Sequence, residues 1–354
     1  MVEQTKQDIS DLHLDENTNK PLLVINDLHV YYRAGHQFVK AVDGVSFELQ
    51  KGDSLGLVGE SGCGKSTLGF SIIRLLKSNG VIPEGEIYYN FDNQYYLDIT
   101  SLEENELNHI RGNRISMIFQ AAQDALNPLQ TIKSHLIDTL NAHNIPKNLH
   151  EEKIRQIFED LDIPISRLYD YPFQFSGGMQ QRISIALGII LEPNLVICDE
   201  PTTALDVLVQ AKIISLLKRL KKQKDLSMIF ISHDLGVIAD IAKKVAVMYA
   251  GRIVEIGSTE DVFQNPLHPY TIGLIESVPN ILEQNQPIKS IPGNPPDLKN
   301  TPVGCKFNPR CKYVKQICLE SEPSLWGKSD SNHFSRCFIS TPEYENSPEV
   351  PVNE

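Results

Sequence analysis

Long apolar runs are missing from this chain of 354 residues. None approaches the ~20 consecutive apolar positions that a bilayer-spanning helix needs. The longest, 183–191, contains Ser184 and Gly188 and has the length of a core helix. The chain is therefore excluded as a membrane channel. A basic excess is missing too. Asp and Glu number 45 against 33 Lys and Arg, a net charge of −12, so broad attraction to nucleic acid is not expected. The one basic cluster, Lys218-Arg219-Leu220-Lys221-Lys222-Gln223-Lys224, reads as the solvated face and C-terminal end of a helix. The N-terminus has nothing of a signal peptide: Glu3, Asp8, Asp11, Asp15 and Glu16 make it polar and acidic, and the expected location is cytoplasmic. No internal repeat is present. Cysteine is scarce and uneven, with four of the six between positions 305 and 337. In a cytosolic chain such a set argues against disulfides.

Hydrophobic residues make up 41% of the chain, enough to bury a large core, and the length allows about two domains. The most informative stretch is Gly59-Glu60-Ser61-Gly62-Cys63-Gly64-Lys65-Ser66-Thr67, which fits the phosphate-cradling pattern G-x-x-x-x-G-K-[ST]. Its glycines let backbone N–H groups close around a phosphate without Cβ obstruction. Lys65 supplies a point charge to the β/γ-phosphates, and the Ser66 hydroxyl is placed to ligate Mg²⁺. The context agrees: 54–58 reads as a buried strand and 66–77 as a helix whose positive end faces the anion.

Residues 1–20 read as a disordered tail. Strands are expected at 22–32 and 39–49 around an Ala34-Gly35 turn, then at 85–90, 115–119, 195–198, 227–232 and 244–249. Helical patterns occupy much of 131–170, then 207–223 and 235–242. Strands alternating with helices imply a parallel sheet covered on both faces. Composition shifts after 278 to a segment rich in Pro and polar residues, then the Cys-rich stretch, then a tail of Pro, Glu and Asn.

Two further elements carry chemistry. Leu195-Val196-Ile197-Cys198-Asp199-Glu200 is an apolar strand ending in two carboxylates. Asp199 is placed to hold Mg²⁺ and Glu200 to orient and deprotonate a water. Phe175-Ser176-Gly177-Gly178-Met179-Gln180-Gln181-Arg182 opens an apolar helix with two glycines, so its free N–H groups face outward and Ser176 is an N-cap or phosphate ligand.

Together these elements resemble the nucleotide-binding subunits of ATP-binding cassette (ABC) transporters, whose signature reads L-S-G-G-Q. Here Phe175 replaces Leu and Met179 replaces Gln, while the phosphate-facing Ser-Gly-Gly is kept. The resemblance runs from residue 22 to 338. It implies an α/β fold: a P-loop cassette with a parallel sheet core, an antiparallel β subdomain and a helical subdomain at 100–185, spanning 21–258. A small Cys-rich C-terminal domain at 259–340 and a flexible tail at 341–354 would follow. It also implies roles for single residues. Tyr32, or its neighbour Tyr31, would stack on adenine. Gln120 would contact Mg²⁺ and the water and sense a transmembrane subunit. Asp206 would lie at a dimer interface. His233 would contact the γ-phosphate. Gly59, Ser61, Gly62, Cys63, Gly64, Lys65, Ser66 and Thr67 would bind ATP in one chain. Ser176, Gly177 and Gly178 would face a second chain.

Leu126-Asn127-Pro128, Asn265-Pro266-Leu267-His268-Pro269-Tyr270-Thr271 and the pattern Cys305-x5-Cys311-x6-Cys318-x18-Cys337 resemble the oligopeptide/dipeptide importer ATPases. The cysteine gaps are wider than the close pairs of structural zinc sites. Four thiolates suit an iron–sulfur cluster better, and the resemblance implies [4Fe–4S]. Zinc and unligated thiols stay open as alternatives. Cys63 reads as a loop spacer, with a reactive thiol at a helix N-terminus as the alternative, and Cys198 as a core residue. The cysteine segment is expected to be independent of the nucleotide site. The expected function is an ATPase at the cytoplasmic face of the cell membrane, driving peptide import as a nucleotide-sandwich dimer. A second ATPase subunit (a paralogue or another copy), two permease subunits and an extracytoplasmic binding protein would be its partners. The alternatives are a soluble ABC ATPase, a non-catalytic cassette, and an importer of nickel or sugar.

Overall fold

The structure is a computed structural model that describes residues 6–7, 20–92, 95–120, 126–203, 205–278, 290–327 and 332–350. Most of the expected N-terminal tail and part of the linker near 279–302 lie outside the described residues. Contacts divide the chain into two compact units. One comprises 1–23, 49–54 and 88–231, and the other 24–48, 55–87 and 232–354.

The first unit is built on three parallel strands. Ile115–Ile118 pairs with Leu195–Asp199, which pairs with Ser227–Ile231. All three are buried along their whole length, so they read as continuous apolar runs rather than alternating ones. Each fully buried Ile, Val or Leu contributes about 1.5–3 kcal/mol, which makes these short strands the anchor of the unit. Around them lie the helices Ile132–Ala142, His150–Asp160, Gly177–Ile189 and Val207–Lys224. The last is 18 residues long, buries Ile213, Leu217 and Leu220, and ends in Lys221, Lys222 and Lys224, as the basic cluster led us to expect. A hairpin of Gly80–Phe91 with Tyr95–Asp98 falls partly in this unit, where Tyr88 to Phe91 pair with Asp98 to Tyr95. Lys6–Gln7 adds antiparallel to Tyr96 and Leu97.

In the second unit Ser54–Val58 pairs in parallel with Lys244–Tyr249, which turns back antiparallel into Arg252–Ser258. Phe334–Ser335 and Trp326–Gly327 extend that edge antiparallel. Arg252–Ser258 and Tyr95–Asp98 are strands that the apolar pattern did not predict. In the former, Glu255 sits in mid-strand and is fully buried. Its carboxylate accepts from the Leu267 and His268 N–H groups at 2.8 Å each and lies 2.7 Å from His333 Nε2. The helix after the phosphate loop is also shorter than expected, Lys65–Ile72 rather than 66–77. Arg74 takes a left-handed φ of 50°, and the Leu75 N–H donates to Phe70 O at 2.9 Å, a closure that ends the helix. At the C-terminus, Pro342–Glu345 is a short helix. The Gln316 N–H donates to Pro348 O at 3.0 Å, which ties this stretch to 315–317.

Candidate functional site

The phosphate loop leaves the buried strand Ser54–Val58 and enters the helix Lys65–Ile72, as a phosphate cradle requires. Two of its glycines are obligatory for packing. A Cβ on Gly64 (φ 113°) would stand 2.0 Å from Ala41 O, and one on Gly59 (φ 148°) 2.2 Å from Met248 O. Lys65 is buried, and its Nζ donates to Gly59 O at 2.8 Å and Glu60 O at 3.0 Å, closing the loop on itself. Ser66 and Thr67 are half-buried and Ser61 and Gly62 exposed. Cys63 is buried and burial raises its thiol, so the helix N-terminus does not make it a reactive thiolate. Cys198 is a core residue whose thiol burial also raises.

Of the two neighbouring tyrosines, Tyr31 is engaged elsewhere. Its hydroxyl donates to Asp43 at 2.8 Å, Asp43 pairs with Arg252 at 3.1 Å, and Lys40 Nζ lies 5.5 Å from its ring centroid. Burial and the Asp43 carboxylate raise the Tyr31 phenol. Tyr32 is half-buried as well, with its ring beside Gly80. His233 is exposed; the next residue, Asp234, caps the helix Leu235–Ile241 through Val237 N–H at 3.2 Å.

In the other unit, Asp199 is buried at the end of its strand and Glu200 follows at the edge. Glu200 has a left-handed φ of 45°, a strain of about 1–3 kcal/mol for a residue with a Cβ. Its N–H donates to Ile231 O at 2.9 Å, which holds the bend. The same carboxylate oxygen, Oε2, accepts from Gln120 Nε2 at 3.0 Å and from Thr203 Oγ1 at 2.7 Å. Gln120 and Glu200 are thus brought together across 80 residues, and Thr203 is a partner that the sequence reading missed. Ser176 is exposed at the N-cap of Gly177–Ile189, and its side chain makes no capping bond. A Cβ on Gly178 would lie 2.5 Å from Val209 Cγ1. Asp206 caps Val207–Lys224 through the Val209 N–H at 2.9 Å.

Two stretches match family models: 42–203 an ABC transporter model, and 254–318 one for the oligopeptide/dipeptide transporter C-terminal region. A dipeptide transport ATP-binding protein of Caldanaerobacter subterraneus subsp. tengcongensis is 41% identical over 322 residues, covering 90% of this chain and 97% of its own. The chain belongs to the ABC transporter family. Within it, an oligopeptide transport ATP-binding protein of Salmonella typhimurium is 44% identical and covers 85% of this chain and 89% of its own. An ATP-binding cassette solved as a dimer with ADP and Pi shares 25% identity at a TM-score of 0.58, covering 67% of this chain and 98% of its own. The chain is therefore an ABC-type ATPase with the P-loop cassette fold.

Cys305, Cys311, Cys318 and Cys337 of this ABC protein all line one small cavity, of about 10 Å³, walled by Phe307 and Tyr344. Burial, and to a lesser degree the neighbouring cysteines, push the Cys305 and Cys337 thiols up to about 12 and that of Cys311 up to about 11. The donor set is all thiol, which suits a cluster or a soft metal. Among the described residues, however, no group of three or more His, Cys, Asp or Glu stands close enough together to hold a metal ion. The cysteine segment is not independent of the nucleotide loop. Arg310, beside Cys311, pairs with Glu60 of the loop through two bonds of 2.6 and 2.9 Å.

Proposed function

We propose that this chain is the ATP-hydrolysing subunit of a peptide importer, working at the cytoplasmic face of the membrane as one half of a nucleotide sandwich. The observation that carries the reading is the convergence of Gln120 and Thr203 on Glu200, at the end of the strand that presents Asp199. ATP would lie in the loop 59–67, with Lys65 and His233 against its γ-phosphate and Tyr32 against adenine. Ser66, Gln120 and Asp199 would hold Mg²⁺, which supplies charge neutralisation on the phosphates. Glu200 would take a proton from the attacking water while Gln120 and Thr203 fix its carboxylate. Ser176, Gly177, Gly178 and Asp206 would serve the nucleotide of a second cassette, either a copy or a paralogue. Identity above 40% to dipeptide and oligopeptide transport ATP-binding proteins supports a peptide substrate.

The partners would be that second ATPase, two permease subunits and an extracytoplasmic binding protein. Among the described residues no helix is long and apolar enough to cross a membrane. The proposed domains are a cassette at 21–258, with its helical subdomain at 100–185, followed by a Cys-rich domain at 259–340. In that domain Cys305, Cys311, Cys318 and Cys337 would hold a [4Fe–4S] cluster that staples a segment poor in apolar core, with zinc as the alternative; the four thiols line one small cavity, and binding would have to draw them closer than they stand. Purification of the chain from its native membranes, followed by dipeptide uptake into vesicles, tests the function. Permease subunits and ATP-dependent peptide uptake are expected. Recovery with no integral-membrane partner would favour a soluble ABC ATPase. Uptake of nickel or sugar in place of peptide would reassign the cargo.

A further inference from the structure

The loop that would receive a polyanion carries a carboxylate in its second position. Unpaired, Glu60 would repel the phosphates from within the cradle. The structure answers this with a guanidinium from 250 residues away. Arg310 grips the Glu60 carboxylate with both ends of its fork, Nη1 to Oε2 at 2.6 Å and Nη2 to Oε1 at 2.9 Å. The Arg310 side chain is 4% exposed and that of Glu60 24%. The fork is itself aimed: Nε donates to Pro292 O at 2.7 Å, and the guanidinium lies 5.8 Å from the Tyr249 ring centroid and 5.9 Å from that of Phe307. The Tyr270 hydroxyl accepts from the Glu60 N–H at 2.8 Å, so the carboxylate's backbone is pinned as well. Planar, bidentate geometry of this kind is what arginine supplies and lysine does not.

We propose that Arg310 is a positioning residue of the nucleotide site, which neutralises Glu60 and holds the first turn of the phosphate loop so that the cradle carries no unpaired negative charge. The inference rests on the reading of 59–67 as the ATP site. It makes a prediction about charge that a purely structural ion pair would not. Counting Glu60 and Arg310 only, the wild type contributes no net charge beside the phosphates. Arg310→Met leaves one negative charge. Glu60→Gln leaves one positive charge, and its amide oxygen still accepts from the fork. The double variant is neutral again.

The test is Mg-ATP binding by titration calorimetry on the full chain at low ionic strength. Affinity should fall about tenfold in Arg310→Met, rise about threefold in Glu60→Gln, and return to within about threefold of wild type in the double variant, magnitudes expected of one unit charge in partly screened surroundings. Added salt should compress the spread. If Arg310→Met does not fold, the sign for Glu60→Gln decides, because an ion pair with only a structural role gives weaker or unchanged binding there. Weaker or unchanged binding by Glu60→Gln, or a double variant no better than Arg310→Met, would overturn the proposal. Absence of ATP binding by the wild type would instead overturn the site reading itself.

Discussion

The phosphate loop and the cysteine-bearing loop lie in the same compact unit, yet their order has opposite origins. Residues 59–67 are contiguous, and bonds from Lys65 to Gly59 and Glu60 close the loop from within, to which Tyr270 and Arg310 add distant anchors at Glu60 alone. The cysteine loop is held from a distance. The Cys305 N–H donates to Cys318 O at 2.9 Å, Gln316 is held by Pro348, and Arg310 reaches Glu60. A site whose chemistry is local can be read from a run of letters. A site organised by long-range contacts shows only its residue types in advance, not its coupling to the rest of the molecule.

The largest effect that probes this contrast is Lys65→Ala. It should weaken ATP binding about a hundredfold, as loss of a charge-assisted phosphate contact in a partly dry site implies. Calorimetry on the full chain checks it, and a change below tenfold would mean that the loop does not carry the binding. Next, Ser176→Arg should abolish ATP-driven association, followed by light scattering, while its own loop keeps ATP affinity within about threefold, because in the proposed sandwich the two elements would serve different nucleotides. Association equal to wild type would remove the sandwich. If the four cysteines hold the proposed cluster, anaerobically purified protein should carry about four irons per chain, and Cys311→Ser should strip them and expose 303–338 to protease. Because Arg310 is adjacent, ATP affinity should also drop roughly threefold, the size of a coupling carried through one contact. Iron and sulfide analysis with calorimetry checks both; stoichiometric zinc without iron would refute the cluster.

A separate effect, outside the nucleotide loop, is on pH stability. His268 is buried, and burial lowers it to about 4 from its ordinary 6.5. Its ring accepts from the Tyr270 N–H at 3.0 Å. Between pH 6.5 and 4 the unfolded chain binds a proton that the folded chain refuses, so stability is fully present above that window and falls as pH drops through it. The loss should approach about 1.4 kcal/mol per pH unit. His268→Gln, whose side chain can still accept that bond, should flatten the urea-unfolding difference between pH 7 and 5. Equal acid sensitivity in the two proteins would remove His268 as the cause.

Much of the fold and of the elements that build the candidate site was legible because the relevant residues follow one another. The buried strand before Gly59 and the apolar strand before Asp199-Glu200 stand where the pattern placed them. Arg252–Ser258 was hidden because buried Glu255 interrupts its apolar run, and only tertiary partners make that burial tolerable. The helix after the loop ran short because Arg74 adopts a left-handed turn that no residue type announced. Thr203 and Arg310 were missed for a related reason. A threonine in a turn and an arginine between a proline and a cysteine carry no local mark of the carboxylates they meet.

Steady-state ATP turnover by Glu200→Gln tests the central reading most directly, measured beside ATP affinity in the same preparation. Gln120 Nε2 and Thr203 Oγ1 both converge on Glu200 Oε2, at a residue whose backbone is held in a left-handed bend. The amide cannot accept the water's proton, so turnover should fall several hundred-fold, within the ~10²–10⁴ typical of a lost general base. ATP binding should stay near wild type, and the ATP-bound assembly should accumulate. Near-normal hydrolysis by Glu200→Gln would contradict the assignment.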